Sequence, residues 1–86
     1  MKLSHKEDLL VERVIKKIKE VDPTADVQVT FDAIEDEDVV ILVYTDKSTL
    51  DIVHHTAPDT IDIAAHNGLD ILVLPRDRKS APLPRG

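Results

Sequence analysis

Eighty-six residues with a net charge of −6 and no cysteine define one small domain and exclude disulfides, thiolate metal sites and cysteine nucleophiles. Leu, Ile, Val and Phe supply 28 of the 86 residues, well above the roughly 20% below which a charged chain stays disordered, so a packed core is expected. No apolar run reaches the roughly 18 residues of a membrane span and no leader pattern opens the chain, so the expectation is a cytoplasmic protein with no membrane partner.

The charge is zoned. Residues 1–21 carry a net +2, residues 22–70 a net −11 with Lys47 the one base, and residues 71–86 a net +3. Nucleic-acid binding rests chiefly on basic side chains that neutralise phosphates, so the acidic middle argues against a nucleic-acid partner.

Ser4-His5-Lys6-Glu7 has the spacing of a capping box. Beyond it Leu10, Val11, Val14, Ile15, Ile18 and Val21 form one apolar stripe at helical spacing, with acids in the first turn and lysines near the last. Asp22-Pro23 stops this helix, because the residue before proline is pushed out of the α region. Val27, Val29 and Phe31 then alternate with polar residues, which predicts a strand with one dry face. An acidic turn, Glu35-Asp36-Glu37-Asp38, leads into Val39-Val40-Ile41-Leu42-Val43-Tyr44-Thr45, an apolar run of the kind found in strands covered on both sides.

Residues 48–57 admit two readings. Ser48 with Asp51 three residues on predicts a helix cap before Leu50, Ile52 and Val53, whereas the alternation of Leu50, Ile52 and His54 would suit a hairpin strand. The helical reading is preferred. From Pro58 a helix is expected, continuous with the first stretch or broken from it, with Ile61, Ala64 and Ala65 on one face and Gly68 just past its end. Leu69 to Leu74 reads as a second unalternating strand, and Pro75 as the end of the domain.

The expected architecture is a small α/β two-layer sandwich of order α-β-β-α-β with a three-stranded mixed sheet; the runner-up is α-β-β-β-α-β. The single domain spans 1–75, and 76–86 form a disordered basic tail containing Pro82 and Pro84. A long helical connection between the two apolar strands calls for a parallel pair with a right-handed crossover. Only two helices are then available for a sheet whose second and third strands are apolar on both faces. If both lie on one side, the other presents an apolar patch, which predicts a protein partner or a homodimer through the sheet face or an edge strand.

Few residues offer chemistry. The carboxylates of the acidic turn, Asp36 and Asp38 among them, have the character of ligands for a hard cation, but no twelve-residue calcium loop or bend glycine accompanies them. Asp51 with His55, and Asp62 with His66, stand four apart and would share a helix face, which makes His55 and His66 candidate ligands for a transition metal. Solvated acids and surface histidines paired with carboxylates are the competing readings. With two glycines, Gly68 and Gly86, neither a phosphate-binding loop nor a dinucleotide fingerprint can be written. Tyr44 and Phe31 are too few for a base-stacking platform and are expected in the core. No catalytic residue or cofactor is assigned, and the expected role is a non-enzymatic interaction or regulatory module.

From residue 9 to 75 the order of a helix, a strand, the acidic approach Glu35-Asp36-Glu37-Asp38 into Val39–Val43, a helix, and the closing Leu69–Leu74 strand resembles the core of the minimal nucleotidyltransferases. That family carries a Gly-Ser turn for nucleotide phosphates and an Asp-x-Asp pair for magnesium. Here the turn reads Asp32-Ala33-Ile34, and while Asp38 matches the first metal aspartate, Val40 stands in place of the second. The resemblance implies a catalytically degenerate relative that retains cation or nucleotide binding, the alternative to an interaction module.

Overall fold

A computed structural model describes residues 5–31 and 38–78. The elements run α1 (His5–Val21), β1 (Asp26–Thr30), β2 (Val39–Thr45), α2 (Thr49–Asn67) and β3 (Ile71–Asp77), the α/β order expected from the sequence. β2 is the middle strand of three. β1 pairs with it antiparallel, Val29 opposite Ile41, and β3 pairs with it parallel, Ile41 opposite Val73.

Each boundary has a local cause. α1 ends where Asp22 precedes Pro23, as its stripe predicts, with Val11, Val14 and Ile18 buried and Leu10, Ile15 and Val21 packed at the margin. α2 is capped by Ser48, whose side chain accepts from the Asp51 N–H at 3.3 Å, and closes at Gly68, whose φ of 68° is the left-handed conformation that glycine adopts without a Cβ penalty. Between these caps α2 is one continuous helix. Pro58 lies inside it, so the helix is not broken there, and residues 50–55 are helical rather than a fourth strand.

Period-two alternation divides the strands into two faces. Val39, Ile41, Val43 and Thr45 are all 0% exposed. The apolar three among them share the core with Val11, Val14 and Ile18 of α1, Ile52 and Ile63 of α2, and Ile71 of β3. Both helices therefore lie on one side of the sheet. Phe31, one residue beyond the last ladder pair Thr30–Val40, is 44% exposed rather than in the core, because it lies past the end of the paired strand.

The final strand differs from expectation in length. It runs through Pro75 to Asp77, and the backbone of Arg78 still donates to Thr45 O at 2.8 Å. Proline is tolerated because the β3 residues bonded to β2 are the even ones: Asp70 O accepts from Val39 N–H, and Arg78 N–H donates to Thr45 O. Pro75 thus faces the free edge of the sheet, where a missing N–H costs no ladder bond. Pairing with β2 extends to Arg78, past the boundary expected at 75; the residues expected to form the tail from 79 on, like Ser4 and Asp36, lie outside the described residues.

Candidate functional site

The second face of the sheet is the candidate surface. It consists of the even residues: Gln28 and Thr30 of β1, Val40, Leu42 and Tyr44 of β2, and Leu72, Leu74 and Arg76 of β3. Val40, between Thr30 and Leu72, is buried, while Leu42, Tyr44, Leu72 and Leu74 are half-buried with no helix over them. Four large apolar side chains on two hydrogen-bonded strands make a contiguous patch on a rigid platform. Acids border it: Asp26 stands opposite Tyr44, and Asp38 and Asp70 precede β2 and β3 by one residue on the same alternation. Arg76, beside Tyr44, is a basic group on this face, and the Arg78 guanidinium lies 3.5 Å from Asp26 Oδ2 at its border.

The strand ends beneath the patch are fixed by polar contacts. At the start of β2 and β3 the clip is reciprocal: Asp38 and Val39 N–H both donate to Asp70 O, at 2.9 and 3.1 Å, and Asp70 N–H donates to Asp38 Oδ2 at 2.9 Å. One oxygen of Asp38, a candidate cation ligand, is committed to holding the strands in register. Val40 is an apolar residue of the patch and offers no ligand atom beside Asp38.

At the other end, Asp22 is 1% exposed, and its carboxylate accepts from Thr45 Oγ1 at 2.6 Å and from Thr24 Oγ1 and N–H at 2.8 and 3.0 Å. These donors, the Thr45 hydroxyl foremost, pull its pKa from 3.8 to about 2. The Arg78 guanidinium closes the same end, donating to Asp46 Oδ2 at 3.1 Å and to the carbonyls of Thr24 and Tyr44 at 2.9 and 3.1 Å. Asp22 ties the end of α1 to the end of β2, and Arg78 ties the end of β3 to β1 and β2. Neither was legible in the sequence as more than a helix stop and a tail cation, since apart from Thr24, two residues from Asp22, their partners are 23 to 54 residues away.

The histidines lie elsewhere, on the helical layer. His66 Nδ1 is 2.7 Å from Asp62 Oδ1, the pair its spacing predicts. His55 instead crosses to α1, its Nε2 2.8 Å from Glu20 Oε1, and this contact, helped by Lys17 and Lys16, holds the Glu20 carboxyl below its usual pKa. Eleven residues apart on one helix, His55 and His66 are separated by about 16 Å and do not share a site. Among the described residues no three His, Asp or Glu side chains converge as metal ligands. Asp59, 8% exposed on α2, is satisfied by Arg13 of α1, which donates from Nη2 at 2.7 Å and Nε at 3.1 Å and also reaches Asp62 at 3.2 Å; the pair, Asp59 above all, raises the arginine pKa further.

No helix among the described residues is long and apolar enough to cross a membrane. No protein-family model matches this chain, and neither the curated proteins nor the solved structures compared with it contain a match.

Proposed function

We propose that this chain is a non-enzymatic interaction module that presents the helix-free face of its sheet to a protein partner. One observation carries the reading: Leu42, Tyr44, Leu72 and Leu74 lie together on a face that neither helix covers. An apolar patch of this kind on a small domain is the usual mark of an interaction surface. The acids around it, within a segment of net charge −11, select the chemistry of the partner: an apolar strip flanked by lysine or arginine. Apolar contact supplies affinity, and the surrounding charge supplies orientation and encounter rate.

The test is affinity capture followed by reconstitution with the purified partner, comparing the wild-type chain with Leu42→Thr and Leu74→Thr. Both substitutions suit a strand and leave the helical layer untouched. The expected result is a stoichiometric partner bound at least about tenfold more weakly by each variant, and more weakly as salt rises. A partner bound equally by wild type and both variants would overturn the assignment of this face.

A further inference from the structure

α2 carries two apolar faces. Its core face is Ile52, Thr56, Asp59 and Ile63, all buried against α1 and the sheet. The second consists of Leu50, Val53, Ala57, Ile61 and Ala64, spaced at 3, 4, 4 and 3 residues, which is one stripe of a helix. Leu50, Val53 and Ile61 are 60%, 39% and 67% exposed.

The stripe points away from α1, the other helix among the described residues. Arg13 and Glu20 of α1 meet α2 through Asp59, Asp62 and His55, so those positions define the side turned to α1. At 3.6 residues per turn the stripe lies roughly 170° around the helix from them. α2 also packs on β3, the edge strand, so the stripe flanks the free edge of the sheet. That edge is itself ill suited to strand addition: Pro75 lacks an N–H there and Asp77 adds a charge, both devices that discourage pairing. A contact at this side of the molecule is made by the helix.

We propose that the occupant is a second copy of this chain, joined by antiparallel packing of α2 on α2 about a two-fold axis through Ala57. The stripe complements itself in that arrangement. Ala57 is close to the midpoint of the helix and, as a small residue, lets the backbones approach where the axis passes. Leu50 then faces Ala64 of the second copy, large against small, and Val53 faces Ile61 of the second copy. None of the five positions is charged, in a chain of which 33% is charged, so no like charges meet across the axis. His54, beside the stripe, faces Thr60 of the second copy. A single helix pair covers less than the roughly 800 Å² per partner of a standard interface, so the dimer is weak, with dissociation in the micromolar range or above. It leaves the helix-free sheet face free and does not depend on the function proposed for that face.

The experiment is sedimentation equilibrium of the whole chain from about 1 µM to about 1 mM. Wild type is expected to pass from monomer to dimer over that range. Ile61→Lys and Val53→Glu, each at an exposed position, are each expected to weaken association at least about tenfold while leaving thermal stability of the monomer unchanged. The double variant is expected to recover the dimer, because the antiparallel register sets each new lysine against the new glutamate of the other copy. Within one copy the two positions are eight residues, about 12 Å, apart and do not pair. A wild-type chain that stays monomeric throughout would overturn the proposal, as would a dimer indifferent to Ile61→Lys or a double variant no better than the singles. Binding of the sheet-face partner is scored separately, through Leu42→Thr and Leu74→Thr, so either idea can fail alone.

Discussion

Ile41 and Leu42 are neighbours on the middle strand and point to opposite faces, which makes them a matched pair for testing whether the core is one-sided. Ile41 is 0% exposed among side chains from both helices. Truncation to alanine removes its transfer free energy and leaves a cavity that two helices and two flanking strands cannot collapse, a cost of about 4 kcal/mol. Leu42 has no helix over it, so water fills the space left by its truncation; no cavity term arises, and with part of the side chain already wet the loss is about 1–2 kcal/mol. A domain of this length has roughly 4–13 kcal/mol of total stability, so Ile41→Ala threatens folding itself. Ile41→Val, at about 1 kcal/mol, is the companion variant that keeps the comparison readable. Urea unfolding followed by far-ultraviolet circular dichroism, at protein concentrations low enough to suppress self-association, measures both. If Leu42→Ala costs as much as Ile41→Ala with the same m-value, the second face is covered and the reasoning about a one-sided core is wrong.

Three other outcomes follow from the packing. Gly68→Ala should cost about 1 kcal/mol through backbone conformation alone, since a Cβ there meets nothing within 4 Å while φ is +68°; a neutral result by urea unfolding would show that the α2 cap does not adopt this turn. Arg78→Ala removes donors to Asp46, Thr24 and Tyr44 and should destabilise by about 2 kcal/mol, with faster amide exchange at the end of β3. Unchanged protection there would contradict the clasp. The Asp22 carboxyl, held at about 2 against an ordinary 3.8, binds protons less readily folded than unfolded, so its contribution is complete above about pH 4 and is lost as pH falls toward 2. Carboxyl-carbon titration by nuclear magnetic resonance should show that low value, and Thr45→Val should move it up; a wild-type value near 3.8 would mean the Thr45 hydroxyl does not donate to it.

What could be read from the sequence follows the strength of its local patterns. α1 was legible because one stripe and one stop, Asp22-Pro23, agree. β2 was legible because seven consecutive apolar or β-branched residues have no helical periodicity, and its parallel partnership with β3 followed from the long connection between them. The caps of α2 came from Ser48 and Gly68, but its orientation did not: with Ile52 and Ile63 on one side and Leu50, Val53 and Ile61 on another, the pattern does not say which face is inside. The structure buries the former and leaves Ile61, Ala64 and Ala65 exposed. The extension of β3 through Pro75 was hidden because whether proline ends a strand depends on which way its missing N–H would point, a property of the neighbouring strand. Contacts such as Arg13 with Asp59, or Glu20 with His55, join residues 46 and 35 apart, and no local spacing announces them. The same holds for the candidate surface: its apolar residues were visible in the strands, whereas the side on which both helices lie is a tertiary fact.

The most direct measurement of that fact uses a soluble paramagnetic probe on the isolated chain at low concentration, read at the methyl groups of β2 and β3. The helix-free sheet face predicts strong relaxation enhancement at Leu42, Leu72 and Leu74, beside protected methyls at Val39, Ile41 and Val43. Equal protection of the two sets would mean that both faces of the sheet are covered, and the surface assigned to the partner would not exist.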